Sequence, residues 1–471
     1  MVVARRWGRM TRLMVVLGLL VSLFAEAEDG GPSAGNSASL GLRSNYYLSD
    51  ASAPLTPQLV GDWRGESTGG FLQGTLALGG GINVGKPRAY YWYVSEAYLS
   101  KSFLSGETKL SFGRKLETWS VADRFWGAGA WQPRFRWDYL EPLETGLSGL
   151  FLTNRSDTGE VTLFGSPLYF PEQGGSLEFV DGSCANASLN AWISCPASQV
   201  PILGVDTPVD YRLQLPPLSQ IVFNPSVGVT GAWGAGQGAL REETGAWVRA
   251  SYGYKPRSAI LLSYSRPLRL DRGRADVTLY PRAAYHHLAT LESGLLHAQG
   301  QLWVSLTRDQ PVEENLDPEL AHQRIAPATL ASLGTDFKLM RVRNGHLKVA
   351  LGYLHKFAEP STDLAPANLL SSLSFSGRSL FDEAYPFTDL VSGVVETPVP
   401  WVLGDRLRFR WRGLYEPATA TSQLSGSFVY ETPTNWRAYL GADVLSGDGQ
   451  SNYIAKYRQN DRVYWGLSYV F

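Results

Sequence analysis

The last ten residues read Arg462-Val463-Tyr464-Trp465-Gly466-Leu467-Ser468-Tyr469-Val470-Phe471. Val463, Trp465, Leu467, Tyr469 and Phe471 fall on one face at a period of two, while Arg462, Tyr464, Gly466, Ser468 and Val470 fall on the other. That periodicity marks a strand with one wholly apolar and aromatic face. Such a face needs either a protein core or lipid against it.

The rest of the chain decides between the two. Leu40, Leu42, Tyr46 and Leu48 alternate with Ser39, Gly41, Arg43 and Tyr47. Leu347, Val349, Leu351 and Tyr353 alternate with His346, Lys348, Ala350 and Gly352, and Trp436 to Val444 repeats the pattern. Further runs lie near 71–79, 91–102, 107–115, 146–153, 160–164, 226–234, 245–254, 258–265, 294–307, 331–340, 421–430 and 451–459. Most are about ten residues long, the length a tilted strand needs to cross a bilayer. Their polar faces repeatedly carry Arg, Lys, Gln or Asn, as a wall with lipid outside and water inside requires. Closing the sheet pairs every backbone group within the hydrocarbon and leaves no edge. The expected fold is an all-β, transmembrane, antiparallel up-and-down β-barrel of about 18 strands, within 16 to 20.

The ending at Phe471 resembles the terminal strand of Gram-negative outer-membrane barrels. That resemblance implies an outer-membrane location, and it makes Trp465, Leu467, Tyr469 and Phe471 the signal read by the barrel-insertion machinery. The lipid bilayer and that machinery are then the expected partners.

Composition agrees. Of 471 residues only 18% are charged, 12% are aromatic and 49 are glycine. A hydrophobic content of 44% excludes disorder. The balance of 42 basic against 43 acidic residues argues against a nucleic-acid partner. Two cysteines are too few for a disulfide scaffold or a Cys-based zinc site.

The N-terminus reads as a cleaved signal peptide, residues 1–27. Arg5, Arg6, Arg9 and Arg12 precede an apolar run from Leu13 to Phe24 and a small-x-small site at Ala25-Glu26-Ala27. The apolar run, about 12 residues, is too short to span a bilayer. Cleavage would leave a single barrel domain, 28–471, with four arginines and one glutamate removed and a net charge of −4. With the first strand starting near Ala38, no room for an N-terminal plug domain is expected.

Residues 165–225 break the alternation with eight prolines and hold Cys184 and Cys195. An oxidising compartment favours a disulfide between them, as a loop brace. A segment of this length either folds into the lumen or lies as a surface loop. Residues 308–330 and 357–388 are further loop candidates, with 367–376 a possible extra strand. Asn344-Gly345 marks a tight hairpin suited to the periplasmic side. The stretch 113–144, with Gly113-Arg114, Trp119, Asp123, Trp126, Trp131, Trp137 and Asp138, follows Glu96-Ala97-Tyr98-Leu99. This pattern of about 45 residues resembles one met in porin-like and alginate-export-like barrels, which would imply a solute or polysaccharide channel. An interfacial aromatic belt is the alternative reading.

One strand carries the functional expectation. In 405–415, Leu407, Phe409, Trp411 and Tyr415 point one way and Arg406, Arg408, Arg410 and Arg412 the other. Four arginines facing lipid would cost about 2–4 kcal/mol each, so they face water. Arg437, Lys456, Arg458 and Arg462 extend the basic wall, against Glu431 and Asp443; Arg43, Arg249, Lys338 and Lys348 add to it. Several rows of positive charge make a track that favours anions. Tyr439 and Tyr464 could slide along sugar rings.

No catalytic constellation appears: the adjacent His286 and His287 point to opposite faces, and His346 has no evident acid or nucleophile partner. Neither an enzyme nor a cofactor nor a metal site is expected. The sequence therefore points to an outer-membrane channel, with export of an anionic polysaccharide, together with periplasmic export components, as the leading expectation. A passive porin for small anions and a non-conducting surface-anchoring barrel are the alternatives.

Overall fold

The computed structural model describes residues 36–471 except 49–54, 68–71, 85–88, 104–106, 176–177, 186–189, 194, 197, 203–204, 238–243, 266–268, 272, 313–315, 323–324, 343–344, 359–384, 386, 401–405, 448–453 and 455–456. The signal-peptide reading (1–27) and the possible strand at 367–376 lie outside the described residues.

Eighteen antiparallel strands form one sheet. They are β1 (Ser37–Tyr47), β2 (Leu55–Ser67), β3 (Gln73–Asn83), β4 (Tyr90–Phe103), β5 (Thr108–Lys115), β6 (Leu147–Arg155), β7 (Gly159–Ser166), β8 (Ser226–Gly234) and β9 (Gly245–Pro256). The second half comprises β10 (Tyr285–His297), β11 (Gly300–Pro311), β12 (Ala328–Val342), β13 (Gly345–Ala358), β14 (Asp389–Pro398), β15 (Leu407–Glu416), β16 (Thr421–Glu431), β17 (Trp436–Ser446) and β18 (Arg462–Val470). Each pairs with its neighbours in chain order, and β1 pairs with β18 from Ser39↔Val470 to Tyr47↔Arg462. That pairing closes the barrel, as the alternation requires.

Alternation then sorts the side chains. Leu40, Leu42, Leu150, Leu163, Leu295, Val304, Leu333, Leu351, Leu440, Trp465 and Leu467 stand exposed on the outer surface. Across the lumen face, hydroxyls pair between strands: Thr153 with Thr162 at 3.0 Å, Thr230 with Ser251 at 2.7 Å and Thr290 with Thr307 at 2.9 Å. An apolar girdle around a closed, even-stranded antiparallel barrel with a polar interior is the architecture of the Gram-negative outer membrane, and the chain is an outer-membrane barrel. Its longest connections, β5–β6, β7–β8, β9–β10, β11–β12 and β13–β14, all lie at the end opposite the chain termini.

Several strands escaped the periodicity. In β2 the outward positions include Gly61 and Gly65, which dilute the apolar signal, and in β14 one of them is Gly393. The run 294–307 proves to belong to two strands, β10 and β11, joined by a turn at Ala298-Gln299 whose residues give no turn signal in sequence. Gly300 opens β11 at φ +154, where an added Cβ would meet the Asp336 carbonyl.

The run 258–265 does not join the barrel wall. Leu261–Ser265 belongs instead to a six-stranded sheet built from three long loops, with Gln199–Ile202, Val205–Leu213, Arg269–Asp271, Arg274–Arg282 and Leu320–His322. Its core is Val209, Tyr211, Leu262, Ala275, Val277 and Leu279. Of the run 451–459, residues 451–453 and 455–456 lie outside the described residues, and Arg458 and Gln459 belong to a 3-10 turn, Arg458–Asn460, rather than to a strand.

Cys184 and Cys195 form a disulfide within the loop joining β7 and β8. The bridged loop holds Trp192, which is buried against Tyr457 and under the Arg462 guanidinium. Replacing both cysteines by serine is expected to cost up to about 3 kcal/mol, the chain-entropy value for so short a loop. The loss should show as faster proteolysis within 178–198, with the barrel itself intact by heat-modifiability on gels.

Candidate functional site

The long connection between β5 and β6, residues 116–146, folds into the barrel. It contains a short helix, α1 (Val121–Trp126), capped by Ser120, whose hydroxyl accepts from the Asp123 amide at 2.9 Å. The same hydroxyl donates to Glu292 of β10 at 2.6 Å, and the Val121 and Ala122 amides donate to that carboxylate at 2.8 and 3.0 Å. Glu292 is thus buried on the barrel wall with its charge against the free amides that begin a helix. Asp123 turns the other way and accepts from the Ala130 and Trp131 amides at 3.0 and 3.1 Å, which closes the segment on itself.

Glycines on the wall receive the large side chains. Trp119 and Trp131 stack at 5.2 Å and lie over Gly228 and Gly253, where a Cβ would approach their rings to 3.1 and 3.0 Å. Phe125 and Trp126 lie over Gly352 of β13, and Phe125 meets Trp303 of β11 at 5.4 Å. Further along, the segment reaches a different arc of the wall. Phe135 packs on Tyr91 and Tyr93 of β4 at 5.5 and 5.1 Å. Asp138 accepts from Arg462 of β18 at 2.5 Å and lies 3.7 Å from Arg43 of β1, and Glu141 pairs with Arg43 at 2.8 Å. Residues 116–146 therefore bridge β8–β13 and the β18–β1–β4 arc through the lumen. An apolar cluster of Ala122, Trp126, Leu354, Leu390, Leu414 and Leu445 joins them to the wall.

Within this lumen the basic residues separate into two groups. Arg410 stands opposite Glu396 of β14 and Ser427 of β16, and Lys348 stands opposite Glu396 and Lys338. Arg406, Arg408 and Arg410 are exposed within the barrel, with Arg412 half-buried above them. Lys348 reaches Glu396 at 3.3 Å, and Arg437 reaches Glu431 at 2.8 Å with Arg408 at 3.8 Å from the same carboxylate. Arg406 and Arg410 have no ion-pair partner among the described residues. Arg124 adds a cation from the inserted helix: Val121, Ala122, Phe125 and Trp126 occupy its wall-facing side, and Arg124 is 51% exposed on the other. Its one carboxylate partner among the described residues, Glu144, is 3.5 Å away.

The second group are structural clamps rather than open pore lining. Arg462 is buried and pairs with Asp443 at 2.6 Å as well as Asp138. Arg43 is held by Glu141 and Asp138. Arg249 lies beneath the inserted segment and donates to the Thr118 carbonyl. Arg458 sits in the loop before β18 and donates to the Gly447 carbonyl at 3.3 Å, so it is not part of the wall. Lys456 lies outside the described residues. The expectation of eight inward cations from 405 onward is corrected for Arg458: β17 ends at Ser446 and Arg458 begins a 3-10 turn, so the alternation that placed it inside does not hold there.

A further buried cluster clamps two loops to the rim. Asp309 lies 3.1 Å from Arg257, 2.8 Å from His286 Nδ1 and 2.7 Å from the Tyr385 hydroxyl. Burial and then the Asp309 charge push the Tyr385 hydroxyl well above its ordinary pKa, so it remains a proton donor here. Asp138 behaves differently. Its burial opposes ionisation, but the Arg462 and Arg43 charges outweigh this and hold its carboxyl below the usual range.

The inserted segment is 116–146, not the proline-rich 165–225. From the latter, Trp192 and Tyr169 are buried, and Gln199–Ile202 and Val205–Leu213 join the six-stranded loop sheet. Glu292, Asp138, Arg124 and the Trp119–Trp131 stack were not singled out from sequence as site residues. The aromatic and acidic content of 113–144 was the available sign. Among its partners on the wall, the glycines and Glu292 carry no local signature.

No protein-family model matches the chain, and no curated protein sequence matches it. Solved structures share its overall shape at low identity. Acinetobacter baumannii OccAB4 is 8% identical, with 93% of this chain and 97% of that one covered and a TM-score of 0.46. Pseudomonas aeruginosa OpdQ is 11% identical, covering 93% and 96%, with a TM-score of 0.44. The Escherichia coli protein Wzi, described as a carbohydrate-binding β-barrel involved in capsule assembly, is 10% identical, covering 92% and 84%, with a TM-score of 0.43.

Proposed function

We propose that the barrel is a narrow, anion-favouring channel for small acidic solutes. The observation that carries this reading is that basic side chains stand both on the barrel wall and on the segment inserted into the same lumen. On the wall stand Arg408 and Arg410, water-exposed at successive depths of β15, with Arg406 exposed in the turn just before it. On the inserted segment stands Arg124, turned away from the helix face that packs on the wall. A positive lining lowers the electrostatic barrier to anions, and a low-dielectric wall strengthens the effect. Arginine also suits bidentate recognition of a carboxylate.

The crossing of the lumen by 116–146 supports small solutes over a polysaccharide, because a polymer chain needs a continuous wide bore. Export of an acidic polymer stays a second reading only insofar as the segment can leave the lumen. The two are told apart by uptake into protein-loaded liposomes. Small carboxylates should pass faster than neutral solutes of equal size, and acidic oligosaccharides should neither pass nor block. Passage of the oligomers instead would reverse the order of the two readings. Equal rates for carboxylates and neutral solutes would remove the charge argument.

The ladder has its own consequence. In Arg408→Glu/Arg410→Glu, two positive rows become negative without change to the outward face. The reversal potential under a salt gradient should move toward cation preference, with conductance retained. An unchanged reversal potential would show that ions do not pass this wall.

A further inference from the structure

A cavity of about 10 Å³ lies against the inserted segment, lined by Pro133 from its middle and Gly146 from its end, and by Ser226, Lys255 and Ser258. That is room for one water-sized body or one monoatomic ion. Lys255 stands near the end of β9 on the lumen face, opposite His286, and is 4% exposed. Its ammonium makes one long hydrogen bond, 3.4 Å to the Pro256 carbonyl. It has no ion-pair partner among the described residues.

The carboxylates of the neighbourhood are committed elsewhere. Asp309 is held by Arg257, His286 and Tyr385. Glu172, whose amide donates to the Ser258 carbonyl, pairs with Arg136 at 2.9 and 3.2 Å. The Ser258 hydroxyl lines the same cavity and is buried without a hydrogen-bond partner in the described structure. Tyr169 also lines it, yet donates its hydroxyl to the Arg257 and Ser258 carbonyls. The cavity is thus lined by a buried lysine that has no ion pair among the described residues and by a serine whose buried hydroxyl has no partner among them, the nearby Asp309, Asp123 and Glu172 standing beyond ion-pair reach of the ammonium. An unpaired buried charge is costly, and an anion in the cavity offsets that cost where a water molecule supplies no charge.

We propose that this cavity binds a single small anion of the halide class, held by Lys255 and Ser258, which ties residues 116–146 to β9. The site is independent of whether the barrel conducts. A bound anion stabilises the folded state by mass action, so stability should follow anion identity as well as ionic strength.

Two measurements on the full mature chain test it. Crystals equilibrated in sodium bromide and measured at the bromine edge should show one anomalous peak in the cavity, absent in Lys255→Met. In detergent, the heat-modifiability midpoint should be higher in chloride than in gluconate at equal ionic strength, and the difference should vanish in Lys255→Met. Should Lys255→Met fail to fold, Ser258→Ala serves, with the chloride concentration for half-maximal stabilisation raised several-fold. A cavity holding only water, or a chloride effect undiminished in the variants, would overturn the site.

Discussion

Replacing residues 116–146 by a short turn should raise single-channel conductance severalfold. The wall does not depend on this segment for its backbone pairing, since β5 and β6 are hydrogen-bonded to each other along Thr108–Lys115 and Leu147–Asn154. What the segment supplies is mass inside the lumen. Removing it frees Glu292 from three hydrogen bonds and Arg249 from the Thr118 carbonyl. It also exposes Trp303, Leu390 and Leu414 to water. Each large apolar side chain so exposed costs about 1.5–3 kcal/mol, so the deletion should also lower the heat-modification midpoint. Point substitution gives a milder version. Glu292→Gln keeps the shape but removes the charge from the helix start, which is worth about 1–2 kcal/mol in a buried setting. It should add open-channel fluctuations to an otherwise quiet conductance. A deletion that folds but conducts no better than the intact chain would show that residues 116–146 do not limit the passage.

Arg462→Met should be the most damaging single substitution. The guanidinium is 1% exposed and bridges Asp443 and Asp138 while lying over the rings of Trp192 and Tyr464. Removing one partner from such a group leaves two carboxylates facing each other without their cation, a loss of about 3–5 kcal/mol. The position also sits in the strand pair that closes the barrel, opposite Tyr47. The midpoint should fall far more than for Arg410→Met, whose guanidinium is exposed. Asp138 adds a pH dependence with a definite sign. Its folded-state carboxyl is held below the ordinary range, so it contributes stability at neutral pH. That contribution is lost as pH falls from the ordinary carboxylate range through the lowered folded value. Asp138→Asn should therefore be less stable than the parent at pH 7, with the gap narrowing in acid.

The wall was legible in sequence because lipid and water impose a period of two on every strand, and β1, β13, β15, β17 and β18 show it plainly. The basic face of β15 was legible for the same reason, since four arginines at alternate positions cannot face hydrocarbon. Arg462 shows where that reasoning stops. Alternation gives the face of a side chain but not what lies across the lumen, and here Asp138 comes from 324 residues away to cover it. The inserted segment was hidden by the same gap. Its wall contacts at Gly228, Gly253 and Gly352 look in sequence like ordinary small lumen residues. Only the packing of Trp119, Trp131 and Phe125 onto them gives those glycines a purpose.

The most direct measurement is the reversal potential of the refolded mature chain in planar bilayers under a potassium chloride gradient. A lumen narrowed by residues 116–146 and lined by Arg124 and the β15 arginines predicts small, discrete openings with a reversal potential on the chloride side. Openings that favour potassium would contradict the positive lining. A complete absence of current, persisting after removal of 116–146, would contradict the channel itself.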